Sequence, residues 1–160
     1  MNTKFTFSKM TDEDAREVLG WKYTAPFDVY NRDLEDVGRL VEPTNLYLTV
    51  RDGDGAIVAY YCFGGQAQIA GGDYNEIALD IAGQARPDLL GSGFGEMFVR
   101  VAVDFGKMFF NPQKFRTTVP ISNKRALKVC ERAGFVIAGI FVSDEGNEFC
   151  ILTKAVEPDE

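Results

Sequence analysis

Gly91, Gly93 and Gly95 alternate through the stretch DIAGQARPDLLGSGFG, from Asp80 to Gly95. Glycine reaches positive φ and leaves the backbone bare to an approaching ligand. Apolar Phe94, Met97, Phe98, Val101, Phe105 and Met108 follow at helical spacing, so the loop opens an amphipathic helix. The free N–H groups at such a helix start form an anion site suited to phosphate or pyrophosphate. Two glycine fingerprints do not apply. The dinucleotide pattern G-x-G-x-x-G meets Glu96 where its third glycine belongs, and no Gly-Lys-Ser/Thr follows for a P-loop. An ordinary glycine-rich turn before a helix is the alternative reading.

Few other residues can do chemistry. The chain has no histidine, which removes the commonest general base and metal ligand. Cys62, Cys130 and Cys150 are scattered and lack metal spacing, so no metal is expected. Asp80 is the carboxylate inside a predicted strand, open to a catalytic or a structural role. The net charge of −7 argues against nucleic-acid binding. No apolar run approaches membrane-spanning length, no signal-peptide core opens the chain, and a cytoplasmic, reduced protein is the simplest expectation. The 160 residues suit a single domain, 1–160.

The elements that must position these groups can be read in order. Lys4 to Ser8 alternates as a first strand, and Thr11 caps a helix that carries Ala15, Val18 and Leu19. The aromatic segment from Trp21 to Asn31, with Trp21, Tyr23, Phe27 and Tyr30, is either a lid over the core or a wall for an acceptor. A short helix spans Asp33 to Val41. Leu46 to Arg51 and Ala56 to Phe63 form a hairpin around Asp52-Gly53-Asp54-Gly55, with Leu46, Leu48 and Val50 on one face. Glu76 to Ala85 is a fourth strand, and Gly93 to about Phe109 a helix. Phe115 to Ile121, then a helix opened by Asn123 and stopped by Gly134, then Phe135 to Val142 and Glu148 to Lys154 complete the chain. The order β-α-α-β-β-β-α-β-α-β-β is mixed α/β, and a doubly wound sheet is disfavoured.

Leu90-Gly91-Ser92-Gly93-Phe94-Gly95 resembles motif A of the GNAT superfamily, the Gcn5-related N-acetyltransferases, written Q/R-x-x-G-x-G/A, with Leu90 where Gln or Arg belongs. Asn123-x-x-Ala126 with Gly134-Phe135 resembles its motif B, with Cys130 at the tyrosine position. The resemblance implies a mixed, mostly antiparallel, curved sheet of about seven strands with about four helices, and a splayed strand 4/strand 5 pair. It implies acetyl-CoA as cofactor, with no metal. The pyrophosphate would lie on Gly91, Ser92, Gly93, Phe94, Gly95 and Glu96, and the pantetheine on Gly83, Gln84 and Ala85 and near Asn123. Gly83 marks either a bulge or close packing, and Asn123 is a plain N-cap or a cofactor contact as well. Lys124, Arg125, Lys128 and Arg132 form a solvated basic face from which Lys128 could meet a phosphate. Leu79 and Thr118 stand at the family's strand glutamate positions, which leaves Asp80, Glu76 or a water relay as the base. Cys130 is an acid, a nucleophile or a small core side chain. Trp21, Tyr23 and Tyr30 are assigned to the acceptor. The expected activity is transfer of acetyl to a small-molecule or N-terminal primary amine, with a catalytically weak acyl-CoA-sensing module as the alternative. A homodimer is compatible with the chain.

Overall fold

Thr11 fixes the first helix by a reciprocal pair of bonds. Its hydroxyl accepts from the Asp14 amide at 3.1 Å, and the Asp14 carboxylate accepts from the Thr11 amide at 3.4 Å. This is a capping box with aspartate at the third position. Helix α1 (Asp12–Leu19) then buries Ala15, Val18 and Leu19, the stripe read from sequence. The computed structural model describes residues 4–24 and 32–157. Among these, no helix is long and apolar enough to cross a membrane. The chain divides into two compact units, Met1–Cys62 with Gly83–Phe94, and Phe63–Ala82 with Gly95–Glu160.

In the first unit, β1 (Thr6–Lys9) pairs antiparallel with β2 (Tyr47–Arg51), and β2 antiparallel with β3 (Ile57–Phe63). Every residue of β3 is buried. Helix α1 and the short α2 (Val37–Val41) contribute Ala15, Val18, Leu19 and Leu40 to a core with Met10, Ile57 and Tyr60. Asp14 is also the polar centre of this unit. Arg51 Nη2 donates to it at 2.6 Å and Thr49 Oγ1 at 3.1 Å. Burial alone would raise its carboxyl, but the Arg51 and Thr49 bonds and the Thr11 amide outweigh that and hold it below the usual carboxylate range. Leu46 departs from the sequence reading. The proline turn Pro43–Asn45, with Glu42 accepting from the Thr44 amide, carries Leu46 to φ 55°, outside β2 and partly exposed.

In the second unit, β4 (Leu79–Ala85) begins beside β5 (Lys114–Pro120), in parallel. β7 (Glu148–Ala155) pairs antiparallel with β5 on one side and with β6 (Val136–Val142) on the other. The strand order is β1-β2-β3-β4-β5-β7-β6, a mixed sheet of seven strands. β4 is shorter than the expected Glu76–Ala85; Glu76 precedes it and forms an ion pair with Lys114. Helix α3 (Gly95–Phe110) also corrects the reading. Its buried face is Phe98, Ala102, Val103 and Gly106, whereas Met108 is exposed and Phe94 stands before the helix. Gly106 sets the closest approach: a Cβ there would lie 2.7 Å from Phe115 Cε1. Helix α4 (Lys124–Arg132) starts under the Asn123 cap and ends before Gly134, at φ 98°.

Candidate functional site

The β4–β5 ladder is two pairs long, Leu79↔Phe115 and Asp80↔Arg116. Beyond it, Thr117 Oγ1 donates to the Ile81 carbonyl at 2.8 Å, a side chain standing in for a backbone partner. At the second pair, Asp80 and Arg116 are both buried. Arg116 Nε and Nη2 each donate to the Asp80 carboxylate at 2.7 Å, and Gln68 Nε2 donates at 2.8 Å. Arg116 Nη1 takes the Glu76 carbonyl at 2.8 Å. The guanidinium lies over the Tyr74 ring, 4.9 Å from its centre, and Tyr74 OH meets Thr118 Oγ1 at 2.8 Å. The hydrogen bond to Asp80 raises the Arg116 guanidinium above its already high value. Asp80 therefore has both oxygens occupied, the arrangement of a structural carboxylate. Glu76, the other carboxylate considered as a base, is held below its usual value by the Lys114 hydrogen bond, which weakens it as a proton acceptor.

Sequence reasoning missed Arg116, Tyr74 and Gln68. Part of the signal for Arg116 was present: two cations in KFRTTVP, Lys114 and Arg116, and one anion in DIAGQA, on strands whose registration makes Arg116 and Asp80 neighbours.

In the first unit, the end of β4 is held by side chains. A Cβ on Gly83 would fall 2.2 Å from Tyr61 Cδ1 and 2.6 Å from the Tyr60 carbonyl, so close packing accounts for this glycine. Tyr60 OH donates to Gln84 Oε1 at 3.0 Å, and Tyr23 OH donates to the Ala85 carbonyl at 2.8 Å. Burial pushes the Tyr23 phenol up, and burial takes Tyr60 up to about 12, so both stay donors at neutral pH. Arg86 N bonds the Val58 carbonyl at 2.8 Å. Trp21 packs on Tyr60 with ring centres 5.9 Å apart. Tyr30 and Phe27 lie outside the described residues.

The loop follows the turn Pro87–Leu89. Gly91 and Gly93 take φ 77° and 87°. A Cβ on Gly93 would meet nothing within 4 Å, the open space that an anion needs. The Ser92 amide and hydroxyl are turned back to the Leu89 carbonyl. Helix α3 starts at Gly95, where a Cβ would stand 3.0 Å from Val129 Cγ2 of α4. Glu96 pairs with Arg100 one turn on. Asn123 Oδ1 accepts from the Ala126 amide at 3.1 Å, and Lys128 is exposed.

Cys130 is buried on α4, and burial, then the neighbouring Cys150 and Glu131, push its thiol up to about 11. A thiol so raised stays neutral at physiological pH and is a poor nucleophile. Cys130→Ser should lower stability by about 1–2 kcal/mol, through a buried hydroxyl with no ready partner, whereas Cys130→Ala should cost no more than that. The sign with pH is fixed. The folded state holds this proton more tightly than the unfolded one, so its contribution is present at neutral pH and lost as pH rises towards about 11. Chemical denaturation of wild type and Cys130→Ala at neutral and alkaline pH reads it. A wild type that loses no more stability at high pH than the alanine variant would refute the assignment.

No protein-family model and no characterised protein sequence matches the chain. Solved structures do. The spermidine N-acetyltransferase SpeG K23-Q34 chimera from Vibrio cholerae and hSSAT superposes with a TM-score of 0.75 at 16% identity, over 94% of this chain and 95% of that one. The structure of AAC(6')-Ib in complex with ribostamycin and coenzyme A gives 0.75 at 20% identity, over 94% and 93%. A second structure, aminoglycoside acetyltransferase AAC(6')-Ib with coenzyme A, gives 0.72 at 21%, over 95% of each chain. This chain has the GNAT fold. The parallel β4–β5 pair and the glycine loop opening α3 stand at the places that the resemblance of motif A implied.

Proposed function

We propose that the chain is an acetyl-CoA-dependent N-acetyltransferase that passes acetyl directly to a primary amine. The observation that carries the reading is Gly93: left-handed, with open space at its Cβ position, two residues ahead of a 16-residue helix. A pyrophosphate fits such a cradle because the backbone can approach it and the helix start favours negative charge. The backbone from Gly91 to Glu96 would hold it. Ser92 contributes least, since its amide and hydroxyl already serve Leu89. The pantetheine would pair with Gly83, Gln84 and Ala85 through backbone groups other than the Ala85 carbonyl, which Tyr23 occupies. Asn123, besides capping α4, is proposed as a cofactor contact, and Lys128 as a charge for a phosphate.

A bound acetyl thioester supplies the acyl carbon. A β4 amide polarises its carbonyl, and the site brings the amine within attack distance. With Asp80 occupied and Cys130 neutral, proximity carries the reaction: the C–N bond forms, the C–S bond breaks, and the amine's proton, relayed through water, reaches the sulfur so that CoA leaves as the thiol. Tyr23 acts by fixing Ala85, and Trp21 remains the described candidate for acceptor contact. The charge of −7 favours a cationic acceptor, and the two neighbours named for spermidine or solved with ribostamycin are consistent with that class. The occupied state of Asp80 also supports a second reading, an acyl-CoA-sensing module without turnover.

The test is a titration with CoA, ATP and NAD, followed by release of free CoA from acetyl-CoA over a panel of polyamines, aminoglycosides, amino acids and peptide N-termini. The transferase reading expects CoA to bind in preference to the nucleotides and at least one amine to be acetylated. Binding without turnover over the whole panel supports the sensing module, and no preference for CoA removes both.

A further inference from the structure

β5 is bonded along one edge to β7, where Thr118 is registered with Ile151. Its other edge loses β4 after the pair Asp80↔Arg116. Thr118 stands two residues beyond Arg116, level with Ala82 of the parallel β4, where no ladder pair joins the strands. Side chains alternate along a strand, so Thr118 is on the side of Arg116. It is half-buried, and its hydroxyl meets the Tyr74 hydroxyl at 2.8 Å. Thr117, on the other side, spends its hydroxyl on the Ile81 carbonyl.

Tyr74 is held from several directions. Its oxygen accepts from the Ile69 amide at 3.0 Å. Its ring meets Phe141 edge-on, with centres 6.4 Å apart, and the Arg116 guanidinium lies over it. A Cβ on Gly72 would stand 2.7 Å from Tyr74 Cε2, so that glycine lets the ring come close. A phenol oxygen both donates and accepts. With the Ile69 amide placed, Tyr74 keeps its own proton and room to accept another. Thr118 makes no other hydrogen bond among the described residues, and either hydroxyl can donate to the other. Two linked hydroxyls whose bond reverses without moving a heavy atom are the parts of a proton relay.

We propose, resting on the transferase reading, that Thr118 and Tyr74 carry the proton away from the attacking amine. As the amine nitrogen bonds to the acyl carbon, its proton passes to Thr118 Oγ1, the Thr118 proton to the Tyr74 oxygen, and the Tyr74 proton to water. The C–S bond breaks as water protonates the sulfur, so the amide and the CoA thiol are formed with no net change in protons. Asp80 takes no part, being held by Arg116 and Gln68.

Release of free CoA from acetyl-CoA with polyamines, aminoglycosides, amino acids and peptide N-termini tests this, with calorimetric titration of CoA alongside. Thr118→Val keeps the shape and removes the hydroxyl, and Tyr74→Phe keeps the ring on Phe141 and Arg116. Each should lower kcat about a hundred-fold, with KM and CoA affinity within a few-fold of wild type. The double variant should be no slower than either single one, because the relay is already cut. Thr118→Ser restores the hydroxyl and should recover most of the rate. Turnover in Thr118→Val or Tyr74→Phe within a few-fold of wild type overturns the relay and leaves the transferase reading standing, as does a Thr118→Ser protein as slow as Thr118→Val. A raised KM at unchanged kcat also overturns it, by making the pair a binding contact. A wild type that binds CoA but releases none from acetyl-CoA with any of the amines removes the transferase reading and the relay with it.

Discussion

Gly93→Val abolishes CoA binding while the protein stays folded. Two effects act at this position and they must be separated. The backbone stands at φ 87°, where a β-branched residue is strained by about 1–2 kcal/mol. A stability of about 5–15 kcal/mol absorbs that. The new side chain meets no protein atom within 4 Å of its Cβ, so nothing packs worse. What it fills is the space proposed for the pyrophosphate, and a phosphate displaced from bare backbone loses the amide contacts outright. An affinity lower by about a hundred-fold or more is expected, equivalent to two or three charge-assisted hydrogen bonds. Gly146→Val is the matched control, because Gly146 has φ 89° and equally open space but lies in the β6–β7 turn. Calorimetric titration of both variants should show loss in the first and wild-type affinity in the second. Unchanged CoA affinity in a folded Gly93→Val protein would sink the loop assignment.

What the sequence made legible follows from how local each signal is. The Thr11 cap, the Asp52–Gly55 hairpin and the Asn123 cap with Gly134 stop are encoded within a few residues, and the structure has them as read, with Asp14 completing a box at the first. The glycine loop was legible for the same reason. Errors came where a distant partner decides the outcome. Leu46 alternates properly with Leu48 and Val50, but the proline turn ahead of it rotates it out of the strand. Periodicity placed Met108 on the apolar face of α3, while the contacts of Gly106 with Phe115 and Phe63 turn that face towards Phe98 and Ala102. The same limit hid the environment of Asp80. Its type and strand were visible, and its partners Arg116 and Gln68 lie 36 and 12 residues away. Tyr23 shows the point at the candidate site. Its aromatic character suggested an acceptor wall, and its hydroxyl proves to hold Ala85, 62 residues on.

Asp80→Asn costs more than any other single change described. Arg116 is enclosed with it, and the amide can accept from one guanidinium N–H only by turning its own NH₂ towards another donor. A buried cation would then lack its full partner, a loss of about 3–5 kcal/mol. Melting should fall by roughly 10 °C in a chain of this size. Removing the pair together is a different matter. Asp80→Leu with Arg116→Met replaces both charges by apolar groups, leaving Gln68 and Glu76, both exposed, to be hydrated. Such replacements are often neutral or stabilising, so the double variant should recover most of the lost stability. That recovery makes the catalytic question answerable. If Asp80 serves only to register β4 on β5, the refolded double variant keeps CoA affinity and acetyl transfer within a few-fold of wild type. A double variant that melts like wild type and binds CoA normally but does not turn over would assign Asp80 a proton-transfer role. The three bonds that Arg116 and Gln68 make to the buried Asp80 carboxylate favour the first outcome, because a carboxylate held by a bidentate guanidinium is a weak proton acceptor.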